Sequence, residues 1–383
     1  MLLKVEQFLK VFKLSWFSLI LLLFFITEAY FKLMLFSTDE TTTLLQITKG
    51  ITIGCMGLYI LKKQPKSLVS ITVLFLMFII GQVALVRGVY KESIVAFFKL
   101  IYPIVLLQFF FIYKLSSNQK KKLFQVFEFI ILFNSLIILV GFGFDIDVLN
   151  SYEGSRFGFN GLFITSAVSS YVYCIALIYL LAKYQNTFFK RLTNLIIILS
   201  MFFIGTKVSY FFLLCFFTIY FLKYTAINKK IVITVLLTLG VFCLYMFFFK
   251  YGIFNEIRQK DGLISALMSY RNQLLVERTI PYVKEHWTFV NYLFGGVTNI
   301  VTKSQIEIID VFYFFGIFGG FLYLYVFIKA FLIFKPNIYI AILLFALLFI
   351  VFLAGNFFSY PSIAIYLVIL REFFKQHEQD QYT

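Results

Sequence analysis

The sequence predicts an all-α integral membrane protein, a bundle of about twelve transmembrane helices with one large helical loop on the outer side. Three observations lead there. Hydrophobic residues make up 61% of the 383-residue chain and charged residues only 14%, where soluble domains carry about a quarter charged. The apolar residues lie in continuous runs of helical length, without the period-two alternation of a barrel. Lysines cluster between alternate runs, at Lys62/Lys63/Lys66, Lys114/Lys120/Lys121/Lys122, Lys183/Lys190/Arg191, Lys223/Lys229/Lys230 and Lys329/Lys335, the bias that marks cytoplasmic loops.

In order, the runs are 14–36, 44–61, 67–86, 94–113, 123–143, 161–182, 192–205, 208–222, 231–249, 309–328, 337–355 and 359–374. The first is long enough to span and has no small-residue cleavage site after it, so it reads as a helix and not as a cleaved signal. The runs 192–205 and 208–222 are short and must turn tightly at Gly205-Thr206-Lys207. With the lysine loops inside, both termini are cytoplasmic and segments 37–43, 87–93, 144–160, 205–207, 251–305 and 356–359 lie outside. The chain is then a single polytopic domain over 1–383, with 251–305 the large extracytoplasmic loop between spans 9 and 10.

The net charge of +16 follows from this lysine placement, so no nucleic-acid partner is expected. Cys55, Cys174, Cys215 and Cys243 fall inside apolar runs and read as small apolar residues. Histidines are too few and paired outward aspartates absent, so neither a metal nor a cofactor is expected. Internal repeats and low-complexity tracts are absent. The 54 Phe and 25 Tyr fall mostly in spans or at their ends, where packing and interfacial anchoring account for them.

The arginines are distributed the other way from the lysines. Arg87, Arg156, Arg258, Arg271 and Arg278 lie in outer segments, and only Arg191 and Arg371 inside. Either outer loops simply tolerate basic residues, or guanidiniums there serve an anionic ligand, since their planar fork grips phosphate bidentately. From Ile264 to Tyr282 apolar residues recur at helical spacing (Ile264, Leu267, Met268, Leu274, Leu275, Tyr282), and Arg271 and Arg278 fall within that stripe. Burying two guanidiniums is costly without an anion. The competing reading has them snorkel to headgroups or pair with Glu277 and Glu285.

Other candidates are weaker singly. Arg156 closes an outer loop and Lys207 sits at an outer turn, both available to a diphosphate. Glu307 and Asp310 share a helix face at the mouth of a span, as a proton acceptor or as partners of a loop arginine. His286-Trp287 could be a base beside a sugar-stacking ring, or interfacial residues. Gly316, Gly319 and Gly320 read as helix-packing positions.

Together these residues resemble the bacterial O-antigen polymerase and O-antigen ligase family, over most of the chain from about Ser155 to Leu370. The elements are Arg156-Phe157-Gly158, Ile204-Gly205-Thr206-Lys207, Ser269-Tyr270-Arg271, Lys284-Glu285-His286, Leu293-Phe294-Gly295-Gly296, Glu307-Ile308-Ile309-Asp310, Tyr313-Phe314-Phe315-Gly316-Ile317-Phe318-Gly319 and Phe358-Ser359-Tyr360-Pro361. Ligases of the family usually carry a histidine where this chain has Glu307/Asp310, which favours polymerase. The resemblance implies a metal-independent, inverting glycosyltransferase of the bacterial cytoplasmic membrane, acting on its outer face on undecaprenyl-diphosphate-linked glycans, with a chain-length regulator and a flippase as partners. Asp310, Glu307 and Arg271 are then expected in catalysis, and Arg156, Lys207, Arg271, Arg278, His286 and Trp287 in substrate binding. A flippase of the same lipid-linked sugars and an O-antigen ligase are the rival readings; the first would not need a long helical outer loop.

Overall fold

The computed structural model describes residues 15–38, 43–86, 90–152, 156–225, 228–250, 252–298 and 300–382. The 1–14 terminus, Arg87 and Ser155 lie outside the described residues. Most of the described residues are helical, and among them the only β pairing is an isolated bridge between Asn150 and Phe159.

The helices are α1 (Trp16–Thr38), α2 (Leu44–Lys63), α3 (Val69–Val86), α4 (Lys91–Ile112), α5 (Ser117–Phe144), α6 (Ser166–Tyr184), α7 (Leu192–Phe203), α8 (Lys207–Tyr224) and α9 (Lys229–Tyr245). The loop region follows with α10 (Ile253–Met268), α11 (Arg271–Leu274), α12 (Ile280–His286) and α13 (Phe289–Phe294), then α14 (Glu307–Phe331), α15 (Ile338–Leu353) and α16 (Pro361–Tyr382). Each of the apolar runs falls on a helix, though not every one of those helices is of spanning length. Eight described helical segments are long and apolar enough to cross a membrane, and α7 and α15 are shorter apolar helices. α7 has only 12 residues and α15 only 16, less than the twenty or so that a bilayer asks for. α16 loses its apolar character at Arg371-Glu372 and beyond. The eight segments make the chain a multi-pass membrane protein by length and composition.

Local chemistry sets the helix ends. Ser116 and Gln119 form a reciprocal capping box at α5, and Thr165, Thr206 and Asn337 accept backbone N–H bonds at the starts of α6, α8 and α15. Each such cap contributes about 1 kcal/mol. Helix α6 is the central post: every residue from Val168 to Leu181 is buried, and α16 packs beside it, buried from Pro361 to Phe374. Arg371 is fully buried and ties three helices together. Its Nη1 donates to the carbonyls of Leu107 on α4 (2.8 Å) and Ala330 on α14 (3.0 Å), and its Nη2 donates to Glu372 (3.0 Å), itself 3.4 Å from Lys120 of α5. Removing one partner of such a buried network is expected to cost about 3–5 kcal/mol. Arg371→Ala should therefore lower the thermal midpoint of the purified protein by many degrees, and an unchanged midpoint would contradict this reading of Arg371.

Backbone-on-backbone crossings fix the loop region to the bundle. Gly81, Gly295 and Gly316 meet so closely that an added Cβ on Gly295 would sit 2.3 Å from the Phe314 carbonyl oxygen, and one on Gly81 would sit 2.5 Å from that of Gly295. Gly316, in the left-handed region at φ 68°, also breaks α14 into two pieces. Asn291 donates to the Gly81 and Gly295 carbonyls, 2.8 Å each, and Trp287 stacks on Tyr313.

Candidate anion-binding site

A small cavity of about 80 Å³ opens where five separate segments meet, lined in part by Tyr152, Arg156, Ser170, Thr206, Lys207, Ser269, Arg271 and Gly355. Glycines bring two of these segments together. Gly158 and Gly205 cross with almost no clearance: an added Cβ on Gly205 would lie 2.3 Å from the Phe157 carbonyl oxygen, and one on Gly158 would lie 2.4 Å from that of Ile204. The crossing sets Arg156 beside Lys207.

The third segment arrives through a break. Ser269 and Tyr270 both adopt the left-handed region, at φ 50° and 66°. Non-glycine residues seldom go there, and the result ends α10 and starts α11 at Arg271. The continuous apolar stripe expected over 264–282 is therefore corrected: Ile264 and Leu267 are exposed, the chain reverses at 269–270, and a π-helical turn follows at Leu275–Thr279. Arg271 enters the cavity, whereas Arg278 lies on that turn, exposed and outside the cavity. The fourth segment, Ala354-Gly355, is held by the Tyr171 hydroxyl, which donates to both carbonyls at 3.1 and 3.3 Å.

The three cations that line the cavity are not equivalent. Lys207 donates to the Ala266 and Leu267 carbonyls, 2.7 Å each, so it caps the end of α10 while facing Phe254 at 4.4 Å. Arg156 lies over the Tyr152 ring at 3.5 Å. Among the described residues the buried Nε atoms of Arg156 and Arg271 have no hydrogen-bond partner, and neither guanidinium forms an ion pair. Burial pushes the pKa of both guanidiniums below the ordinary arginine value; Arg271 adds to this at Arg156, while Tyr171, Tyr152, Asp310 and Glu307 oppose it at Arg271. A bound anion relieves that penalty. The first residues of α6 (Ser166, Ala167) and of α8 (Lys207, Val208) also line the cavity. Two helix N-termini thus add their partial positive charge and unpaired N–H groups.

The other candidates lie elsewhere and do other work. Glu307 is 4% exposed and accepts bonds from the backbone N–H groups of Asn356 (2.5 Å), Phe358 (2.6 Å) and Ser359 (3.3 Å), so it shapes the turn that leads into α16. Asp310 accepts from the Ser304 N–H and hydroxyl, both at 2.8 Å. Neither carboxylate lines the cavity, and among the described residues neither makes an ion pair with an arginine, so the alternative of a salt bridge to a loop arginine is not seen. His286 is exposed and stacked on Tyr282 (4.6 Å), and Trp287 spends its indole N–H on the Gly296 carbonyl (3.1 Å). Both stand outside the cavity lining. Arg258 bonds the Phe248 carbonyl (2.8 Å) and Asn255 (3.1 Å) within its own hairpin.

Sequence reasoning missed Tyr152, Tyr171, Ser170 and the 354–355 backbone, ordinary residue types with no distinguishing spacing. It also passed over charges inside the spans, which do carry a signal. Glu28 on α1 is 1% exposed, accepts from Ser362 at the start of α16 and lies 3.9 Å from Lys49. Lys32 on α1 donates to Asn160 (2.5 Å) and the Gly161 carbonyl (2.6 Å), fixing the segment that follows Arg156. Comparison with protein-family models, with curated proteins and with solved structures returned no match.

Proposed function

We propose that this protein is a membrane glycosyltransferase that polymerises undecaprenyl-diphosphate-linked oligosaccharide repeat units into O-antigen or capsular polysaccharide at the outer face of the bacterial cytoplasmic membrane. The observation that carries the reading is the cavity in which two guanidiniums with buried, unpartnered Nε atoms converge with Lys207 on two helix N-termini. At about 80 Å³ the cavity is far below the several hundred Å³ of a typical organic-ligand pocket. It suits an anionic headgroup, and a glycan would extend beyond it.

When an acceptor hydroxyl attacks the sugar carbon, the bond to the lipid diphosphate breaks and charge grows on the departing phosphate oxygen. Fixed cations aimed at that charge lower the barrier, because they are oriented before the reaction begins. Arg271 and Arg156 supply the forks, and Lys207 holds the end of α10, just before the break that leads to Arg271. The hydroxyl proton needs an acceptor. Of the two carboxylates near Arg271, Asp310 is the more exposed, while Glu307 is occupied by three N–H groups. Asp310→Asn should therefore lower turnover steeply with a smaller loss of stability than Glu307→Gln, which weakens three charge-assisted bonds and should cost about 2–3 kcal/mol. Equal, near-normal turnover in both would remove the carboxylates from the reaction.

Reconstitution of the purified protein with one kind of lipid-linked repeat unit tests the function. Polymerisation gives a ladder of chain lengths. Lipid movement without bond formation would make the protein a flippase, and transfer only to a different acceptor would make it a ligase. The orientation has its own test. A cysteine at Val276, 61% exposed, in a background without native cysteines, should react with an impermeant maleimide in intact spheroplasts; labelling only after lysis would reverse the topology.

A further inference from the structure

Five aromatic rings of the loop region and of α14 stand in one row, outside the cation cavity. His286 stacks on Tyr282, with centroids 4.6 Å and planes 9° apart, and Tyr282 meets Tyr313 edge-on at 5.8 Å. Tyr313 in turn stacks on Trp287 (5.8 Å, 12°), and Trp287 meets Tyr292 edge-on at 5.4 Å. The middle of the row is buried and its ends are open: Tyr282 and Tyr313 are buried, whereas the His286 side chain is 45% and Tyr292 43% exposed, with Trp287 half-buried.

A ring that anchors a protein at the membrane interface keeps its polar tip wet. Here the tips turn inward. The Tyr282 hydroxyl shares a bond with the Thr298 hydroxyl (2.6 Å) and accepts from the Thr298 N–H (3.0 Å), and the Tyr313 hydroxyl shares one with Thr302 (2.6 Å). The Trp287 indole N–H goes to the Gly296 carbonyl. What the row offers its surroundings is therefore ring surface. His286 adds one polar atom, because its Nδ1 donates to the Tyr282 carbonyl (3.2 Å), which makes Nε2 the acceptor of the neutral ring. Lys284 and Glu285 beside it are exposed. Ring faces rimmed by hydrogen-bonding groups suit a saccharide: its C–H face lies on the negative face of a ring, and its hydroxyls take up the rim. An acyl chain would leave that rim unpartnered.

Tyr313 ties the row to the proposed reaction. It follows Asp310 by three residues on α14, a rise of about 4.5 Å, and Asp310 lies within electrostatic reach of both Tyr313 and Arg271. We infer that the row is the subsite for the acceptor saccharide, which stacks on the open rings of His286, Trp287 and Tyr292. This rests on the proposed function for the reaction and deepens it by giving the second substrate a surface of its own, apart from the cations.

Trp287 is one of two tryptophans in the chain, so Trp16→Phe leaves it as the only one and its emission reports on the row. The probe is the free oligosaccharide that mild acid releases from the lipid-linked repeat unit, added to the purified full-length Trp16→Phe protein in nanodiscs. A saturable change in emission is expected, and none with inorganic pyrophosphate. His286→Ala and Tyr292→Leu in that background should each weaken the oligosaccharide at least tenfold. Phe289→Ala, at a residue 76% exposed on the same stretch but outside the row, should stay within about twofold. In reconstitution the two row variants should raise KM for the repeat unit at near-normal kcat, a split that a general loss of folded protein would not produce. No saturable change, or the same change when phosphatidylglycerol replaces the oligosaccharide, would overturn the inference. Wild-type KM in both row variants, with chains still made, would remove the subsite and leave the proposed function standing. Oligosaccharide binding that both variants abolish, in a protein that forms no glycosidic bond, would keep the subsite and remove the polymerase.

Discussion

Arg271→Lys is expected to lose at least a hundredfold in polymer formation while the protein remains in the membrane at normal level. Lysine keeps the charge but presents a compact ammonium in place of a planar fork, and the two are not equivalent at a bidentate site. The Arg271 Nε is buried without a partner among the described residues, so its N–H remains a donor for an anion in the cavity. Losing one preorganised donor to a developing oxyanion typically costs about 2.7–4 kcal/mol, or a hundredfold or more in rate. Arg278→Lys is the control, since Arg278 is exposed and outside the cavity, and it should stay within about twofold. Polymer quantified against protein in washed membranes decides; normal chain synthesis by Arg271→Lys would exclude Arg271 from the site.

The second large effect is expected at Gly205. Its φ of +73° disfavours any side chain, and a Cβ there would meet the Phe157 carbonyl oxygen at 2.3 Å. Strain of this type costs about 1–3 kcal/mol, and forced displacement of the neighbouring backbone about as much again. Gly205→Ala should thus separate Arg156 from Lys207 and abolish activity along with a drop in thermal midpoint. Gly143→Ala, where nothing lies within 4 Å, should leave both unchanged. Tolerance of alanine at Gly205 would mean that the crossing does not hold the site together.

The helices were legible in the sequence because continuous apolar runs of span length leave few alternatives. The lengths of the helices were less legible, since α7 and α15 are short and α16 carries Arg371 and Glu372 into the bundle. Arg156, Lys207 and Arg271 were visible as basic residues in segments that the lysine bias sets apart. Their meeting at one cavity depends on the Gly158–Gly205 crossing and on the left-handed Ser269-Tyr270 pair. Periodicity is blind to both, and it wrongly carried the helix through 269–270, which put Arg278 beside Arg271. The roles of Glu307 and Asp310 were hidden for another reason. A carboxylate that binds backbone N–H groups 49 to 52 positions away looks, in sequence, the same as a catalytic one.

The central claim is that the cations assist departure of a lipid diphosphate as a glycosidic bond forms. Mass balance in proteoliposomes tests it most directly: the purified protein receives a single labelled lipid-linked repeat unit, and both glycosidic bonds and released undecaprenyl diphosphate are counted. One lipid diphosphate released per bond formed, with both falling together in Arg271→Lys, is the expected result. Bond formation without diphosphate release, or no bonds from a protein that still binds undecaprenyl diphosphate through Arg271, would contradict it.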